Sequence, residues 1–289
     1  MAYSRKVDKM GDFHWLAGIV RGDGYIDDRH VEIYNSSPSI LRKSVQTIQK
    51  LSIQPIRVKV DIYSTDASLV LKWSKILELP KACIRLRENT SPWATNSEKL
   101  RIRVSSKKLA ERMDLLLKKE LSSDEVKSFL RGLFDAEGSV DIKGYIEFKQ
   151  VANKEGKILV TKVRDYLAML NISCTNPKMK KDTLKKDFYF YVKDLEGYRR
   201  AINFADEDKR EKLDFVINVY KKRRKPSEEE LLLMLQKKPA KILDIMLKVA
   251  CPYYNVRYVL YRMIKNGKIT CIKSGNQNTY LTTRQTRYP

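Results

Sequence analysis

Two segments of this chain close on an acid where a helix would ordinarily refuse one. Leu16-Ala17-Gly18-Ile19-Val20-Arg21-Gly22-Asp23-Gly24 and Leu130-Arg131-Gly132-Leu133-Phe134-Asp135-Ala136-Glu137-Gly138 share one pattern, an apolar helix ending in a carboxylate and a glycine. Asp23 and Glu137 hold the same position in the two copies. An acid at a helix C-terminus faces the negative end of the macrodipole, which disfavours it. Two such acids brought together would also repel each other, and a bound divalent cation removes both penalties. Magnesium prefers hard oxygen ligands of this kind, and the helix-end carbonyls of Gly22 and Ala136 could add to them. Such a site suits hydrolysis of a phosphodiester, in which metal ions activate water, neutralise developing charge and stabilise the leaving oxygen.

The spacing says what must hold the acids. Gly18 and Gly22 lie four apart, on one helix face, and Gly132 and Ala136 occupy the same face of the second copy. Small residues there let two helices pack with their backbones close. Leu16, Ile19, Val20, Leu130, Leu133 and Phe134 would then bury against sheets on either side. Gly24 and Gly138 are expected to adopt the left-handed conformation that ends a helix. The repeat continues past the motif. "GYIDDRHVEIYN" answers to "GSVDIKGYIEFKQ": with one insertion, Asp27 matches Asp141, Glu32 matches Glu147, Ile33 matches Phe148 and Asn35 matches Gln150. A helical stretch, alternating strands ("IRVKVDI" and "LRIRV"; "FYFYV") and a closing helix near 106–118 and 194–203 follow in each half. The reading is an α+β fold, αββαββα twice, with an insertion at 71–99 of the first half read as a short helix and a loop.

Two degenerate copies with the same strand pattern behind each resemble the paired signatures of a LAGLIDADG homing endonuclease of the single-chain type, over residues 10 to 225. The resemblance implies pseudo-two-fold tandem repeats forming a saddle on double-stranded DNA. It implies a monomer that makes a staggered double-strand break at a long asymmetric target and so promotes intron or intein mobility. It also implies magnesium or manganese, with calcium as a non-cleaving substitute. Asp23 and Glu137 match the metal-binding acids. Asn35 and Gln150 fall where the family carries a polar residue that positions water. Lys154 matches a basic residue on the following turn, where the first half has Ser39. Lys119 and Lys209 are the choices for a lysine near the end of each half, with Lys118 and Lys212 close by.

The charge agrees with such a partner. Fifty-eight lysines and arginines against 35 acids leave a formal charge of +23, spread along the chain, and a folded protein this basic usually meets a polyanion. Strand alternation sets Arg57 and Lys59 opposite Val58 and Val60, and Arg101 and Arg103 opposite Ile102 and Val104. Lys178, Lys180, Tyr189 and Tyr191 fit the same outer face in the second half. Beyond the basic run at 220–225 the order helix, helix ending at Asn266-Gly267, and hairpin turning at Ser274-Gly275-Asn276 resembles a winged helix-turn-helix. It would offer Arg257, Tyr258, Tyr261, Arg262 and Lys273 to DNA. The expected domains are 1–122, 123–225 and 226–289.

Two other functions share this outline: a LAGLIDADG-like transcription regulator that has lost its acids, and an RNA maturase that assists splicing of intron RNA. An acid in both copies favours the nuclease. Only two histidines and four scattered cysteines argue against a zinc site and fit a reducing compartment. No apolar signal core opens the chain and no stretch approaches the roughly 20 apolar residues that span a bilayer, so the cytoplasm or an organellar matrix is expected and no membrane.

Overall fold

The first motif ends helix α1 (Ala2–Asp23), in a computed structural model that describes residues 2–51, 56–87, 99–180, 186–274 and 277–283. Strands β1 (Gly24–Ile26) and β2 (His30–Asn35), helix α2 (Pro38–Leu51), strand β3 (Val58–Tyr63) and helix α3 (Ser68–Leu77) follow. A 3-10 turn (Lys81–Cys83), strands β4 (Ile84–Arg87) and β5 (Leu100–Ser105) and helix α4 (Lys107–Lys118) complete the first half. The second motif ends α5 (Ser123–Glu137), followed by β6 (Gly138–Asp141), β7 (Tyr145–Val151), α6 (Lys154–Met169), β8 (Lys178–Met179), β9 (Asp187–Val192), α7 (Leu195–Ala201) and α8 (Glu207–Lys222). The fold is α+β, and its second half runs αββαββα with a further helix, α8, after it.

The first half departs from that order by α3 and β4. The inserted segment makes a strand as well as a helix, because the short turn returns the alternating Ile84-Arg85-Leu86-Arg87 parallel to Val60–Tyr63. It becomes the edge of a sheet ordered β1-β2-β5-β3-β4. Residues 88–98 of the insertion lie outside the described residues. The second sheet is ordered β6-β7-β9-β8.

Alternation decides what each sheet buries. Val31, Ile33, Val58, Val60, Ile62, Ile102 and Val104 are buried on one face of the first sheet. Leu16, Ile19, Val20, Leu130, Leu133 and Phe134 of the two motif helices are buried as well, and the Phe134 ring packs on Phe148 and Tyr198 with centroids 5.1 Å apart in each case. A capping box starts α5: Ser122 caps it and the Glu125 carboxylate accepts from the Ser122 N–H.

The chain divides into two compact units, Met1–Ser139 with Glu147–Arg210, and Val140–Ile146 with Glu211–Pro289. Within the second, α9 (Glu228–Lys237), β10 (Ala240–Lys241), α10 (Ile242–Val249), α11 (Tyr253–Lys265), β11 (Ile269–Ser274) and β12 (Gln277–Thr282) enclose a core that includes Leu231, Leu235, Ile245, Met246, Val256, Leu260 and Met263. The first helix read from sequence beyond the basic run is two, α9 and α10. Pro239 has no N–H to continue a helix and holds Lys238 extended at φ −164°, so α9 stops and β10 pairs with β12. Helix α11 ends as expected at Asn266-Gly267, where Gly267 takes a φ of +66°. Gly275 and Asn276 of the hairpin turn lie outside the described residues.

Candidate functional site

The two motif helices touch through backbone, and the contact is reciprocal. A Cβ on Gly18 would lie 2.1 Å from the Phe129 carbonyl oxygen, and one on Gly132 would lie 1.9 Å from the Trp15 carbonyl oxygen. Trp15 and Phe129 hold the same motif position, so the pair obeys a local two-fold. One turn on, a Cβ on Gly22 would lie 2.5 Å from that of Ala136 and 3.0 Å from Glu137 Cγ. The small residues therefore decide how near the helix ends can come, and with them Asp23 and Glu137.

Gly24 and Gly138 do not take the left-handed conformation. Gly138 is extended at φ −81°, and Gly24 is not among the positive-φ residues. Close approach requires these glycines instead. A Cβ on Gly24 would lie 2.7 Å from the Glu32 and Val20 carbonyl oxygens, and one on Gly138 would lie 2.6 Å from the Phe134 carbonyl oxygen. Each helix runs directly into its strand.

Burial pushes the Glu137 carboxyl up to about 7; Gln150 opposes the rise and the nearby Asp23 charge adds to it. Burial likewise raises Asp23, against the pull of Asn35, Lys209 and Lys99. The Asn35 Nδ2 donates to Asp23 Oδ2 at 2.7 Å. Gln150 stands beside Glu137, and its buried Nε2 completes no hydrogen bond of normal geometry. Two half-buried carboxylates whose burial disfavours their charge are an oxygen donor set that fits a hard divalent cation. Among the described residues no group of three or more His, Cys, Asp or Glu could hold a metal, so the fit rests on this pair with backbone and water oxygens.

Lys209 reaches the same place. Its Nζ donates to the carbonyl oxygens of Asp135 at 2.5 Å and Phe134 at 3.3 Å, in the last turn of α5. A cation there satisfies carbonyls that the helix leaves open and complements its dipole. Burial lowers the Lys209 pKa, opposed by Asp135, Asp206, Asp23 and Glu137. Lys119 sits elsewhere. It pairs with Glu125 at 3.1 Å, in the first turn of α5, about 18 Å along that helix from Glu137. Lys154 is exposed at the first position of α6.

Near the acid centre, sequence reasoning missed three groups. Asp135, inside the second motif, is buried and accepts from Trp15 Nε1 at 2.7 Å and from the Ala205 and Asp206 N–H groups. Its counterpart in the first motif is Arg21, so the repeat itself gave no sign of a buried acid. Asp206 belongs to the same network, and Lys99 is close enough to Asp23 to act on its charge. On the outer sheet face Asp61 was missed as well, and Glu32 was read as a repeat match and not as an ion-pair partner.

On that face Arg101 pairs with Asp61 at 2.5 Å and with Glu32 at 3.7 Å, and Arg103 pairs with Glu32 at 3.3 Å. Burial would raise Asp61, yet Arg101 and Arg87 hold it below the usual carboxylate range. Arg57 is exposed before β3, and Lys59 lies opposite Arg103. In the second half Lys178 and Lys180 are exposed and the Tyr189 and Tyr191 rings stand 5.3 Å apart. In the other unit Arg257 and Lys273 are exposed, Tyr258 lies 4.3 Å under Lys225 Nζ, and Tyr261 is 69% exposed, whereas Arg262 is paired with Glu228 at 2.5 Å.

A family profile described as a LAGLIDADG-like domain matches residues 124–207. Among solved structures, the chain is similar to mesophilic variants of the homing endonuclease I-DmoI, at 17% identity over 67% of this chain and 96% of that one, with a TM-score of 0.46. A structure of I-DmoI in complex with DNA and Mn matches at 17% identity over 67% of this chain and 97% of that one, TM-score 0.45. Full-length DUF199/WhiA from Thermatoga maritima matches at 13% identity over 89% of this chain and 91% of that one, TM-score 0.44.

Proposed function

We infer, for a chain that carries a LAGLIDADG-like domain, that it is a site-specific, divalent-metal-dependent DNA endonuclease. The carrying observation is the pair of acids. Asp23 and Glu137 end two helices whose glycine contacts bring them together, each beside the polar side chain that ends or nearly ends its second strand. A buried acid pair is costly without a counter-charge, and the chain keeps one in both copies.

Asp23 and Glu137 would hold the metal, with the Gly22 and Ala136 carbonyls as further donors. When bound, magnesium or manganese supplies positive charge against the phosphate and makes the attacking water more acidic. Asn35 and Gln150 orient water at the two strands from the edge of each acid. Lys209 offers a buried ammonium to the charge that develops on a phosphate. The asymmetry, Lys209 on the carbonyls of the second motif helix and Lys154 against Ser39, makes the two strand cleavages unequal.

The outer sheet faces hold the duplex. Arg57, Lys59, Lys178, Lys180, Tyr189 and Tyr191 contact backbone or base edges. Arg101 and Arg103 are held in place by Asp61 and Glu32, and Arg103, paired through Nε alone among the described ion pairs, keeps its terminal N–H groups for DNA. Residues 1–122 and 123–225 act as the two half-site domains of a monomer. Residues 226–289, with the order helix, strand, helix, helix and hairpin, act as a winged helix, through Arg257, Tyr258, Tyr261 and Lys273. That added domain also favours a second reading, a DNA-binding regulator. A break at an uninterrupted gene copy would serve intron or intein mobility.

The test is a cleavage selection: the protein is incubated with Mg²⁺ and a pool of randomised duplexes, and new ends are sequenced. Recurrent staggered ends at one long sequence support the nuclease. Enrichment of bound duplexes with no new ends under Mg²⁺ or Mn²⁺ supports the regulator. Restored splicing of a parent intron transcript would identify a maturase.

A further inference from the structure

We infer that Asp206 is a positioning residue that holds both sides of the acid centre from one buried carboxylate; the inference rests on the hydrolytic reading of that centre. Asp206 is 4% exposed and sits just before α8. Its two oxygens face different halves of the repeat. Oδ2 accepts from the Ser37 hydroxyl at 2.5 Å and the Ser39 hydroxyl at 3.1 Å, across 169 and 167 residues of sequence. Oδ1 accepts from the Lys209 N–H at 2.9 Å. Its own N–H donates to Asp135 Oδ1 at 3.0 Å.

Each arm ends at the centre. On the first, Ser37 also donates its backbone N–H to Asn35 Oδ1 at 2.7 Å, and Asn35 Nδ2 donates to Asp23 Oδ2 at 2.7 Å. The carboxylate accepts: the Ser37 hydroxyl donates to it at 2.5 Å, and the Ser39 hydroxyl, 3.0 Å from Ser37 Oγ, stands between these two acceptors, so the Ser37 segment is held. With its oxygen occupied by the Ser37 N–H, the Asn35 amide has one useful orientation, nitrogen toward Asp23. A rotation by half a turn would set oxygen against carboxylate. On the second arm, the Asp206 cap starts the α8 turn that carries Lys209, whose Nζ lies on the Phe134 and Asp135 carbonyls beside Glu137. One carboxylate thus sets the Asn35 amide for Asp23 and the Lys209 ammonium near Glu137.

Nothing among the described contacts repeats this in the second half. Gln150 Nε2 is buried without a hydrogen bond of normal geometry, and Lys154, which aligns with Ser39, is exposed. The first acid is therefore oriented through side chains of both halves, and the second is not.

The experiment reads side-chain nitrogen NMR of the full-length, metal-free protein. S37A/S39A cuts the first arm and leaves the Asp206 cap. D206N keeps an oxygen for the Lys209 N–H but no acceptor oxygen for the serine hydroxyls. D206A cuts both arms. In S37A/S39A and D206N the Asn35 amide signal is expected to shift and its proton exchange to quicken about tenfold, while the buried Lys209 ammonium signal stays. In D206A both move. Folded S37A/S39A and D206N proteins with an unchanged Asn35 signal would overturn the proposal. So would equal changes at Asn35 and Lys209 in S37A/S39A, the mark of general loosening. These signals need no cleavage, so a failed nuclease reading is seen separately, as a wild-type protein that cuts neither strand. Where it cuts, S37A/S39A is expected to slow one strand about tenfold relative to the other.

Discussion

At the scale of single residues, the centre is an acid pair served by unlike neighbours. Asp23 has Asn35, oriented by Ser37, and Glu137 has Gln150 and the nearby Lys209. Exchange of Lys209 for Met should therefore lower the cleavage rate by about a hundredfold, whereas Lys119→Met, altering a surface pair far along α5, should leave it within about twofold. Single-turnover rates at saturating protein separate the two. A pH effect belongs to Glu125. The Ser122 N–H, with help from Lys119 and His14, outweighs burial and holds this carboxyl at about 2, below its ordinary 4.5. A depressed folded pKa gives stability that is complete above 4.5 and is lost as pH falls toward 2. Denaturant midpoints should therefore fall between pH 5.5 and pH 3, through a solvent-screened loss of about 1 kcal/mol that E125Q lacks. The acids were legible in sequence because each ends its motif copy. Ser37, Ser39 and Asp206 were not, because their contact spans most of the repeat and nothing in either segment hints at the other.

At the scale of elements, the crossing of α1 and α5 controls everything placed at its end. The nearest atoms to a Cβ on Gly18 are backbone, at 2.1 Å from the Phe129 oxygen and 2.6 Å from the Leu133 nitrogen, and backbone cannot turn aside. Gly18→Ala should cost about 3 kcal/mol or more in chemical denaturation. It should also reduce cleavage by the protein that remains folded, since the acids would separate. A variant of unchanged stability would mean that the helices cross less tightly. The helix face of small residues and the alternating strands could be read directly, since periods of 3.6 and 2 leave their mark on residue order. The breaks were harder. Pro239 divides an apolar stretch that looked continuous, and β4 appears only because Ile84–Arg87 finds β3 as a partner. Gly24 and Gly138 were correctly singled out for the wrong reason: space, and not φ, requires them.

At the scale of the whole molecule, the +23 charge suits a polyanion partner without saying which surface would meet it. Strand alternation named the outer face of the first sheet, but Asp61 and Glu32 occupy two of its arginines. Exposed Arg257 and Lys273 in the second unit carry no such acid among the ion pairs described. The double variant R257A/K273A should weaken duplex binding and flatten the log-log salt dependence by roughly 1.8, the loss of about two phosphate contacts. Its cleavage rate at saturation should be unchanged. An unaltered salt slope would remove that unit from the DNA interface. The central claim, that Asp23 and Glu137 form one hydrolytic centre, is tested most directly by strand-resolved cleavage of a selected duplex under Mg²⁺ by wild type, D23N and E137Q. The expected result is a staggered break by the wild type and a loss of at least about a thousandfold on one or both strands in each variant, with duplex binding retained. Wild-type binding without a break, or either variant cutting both strands at the wild-type rate, would contradict it.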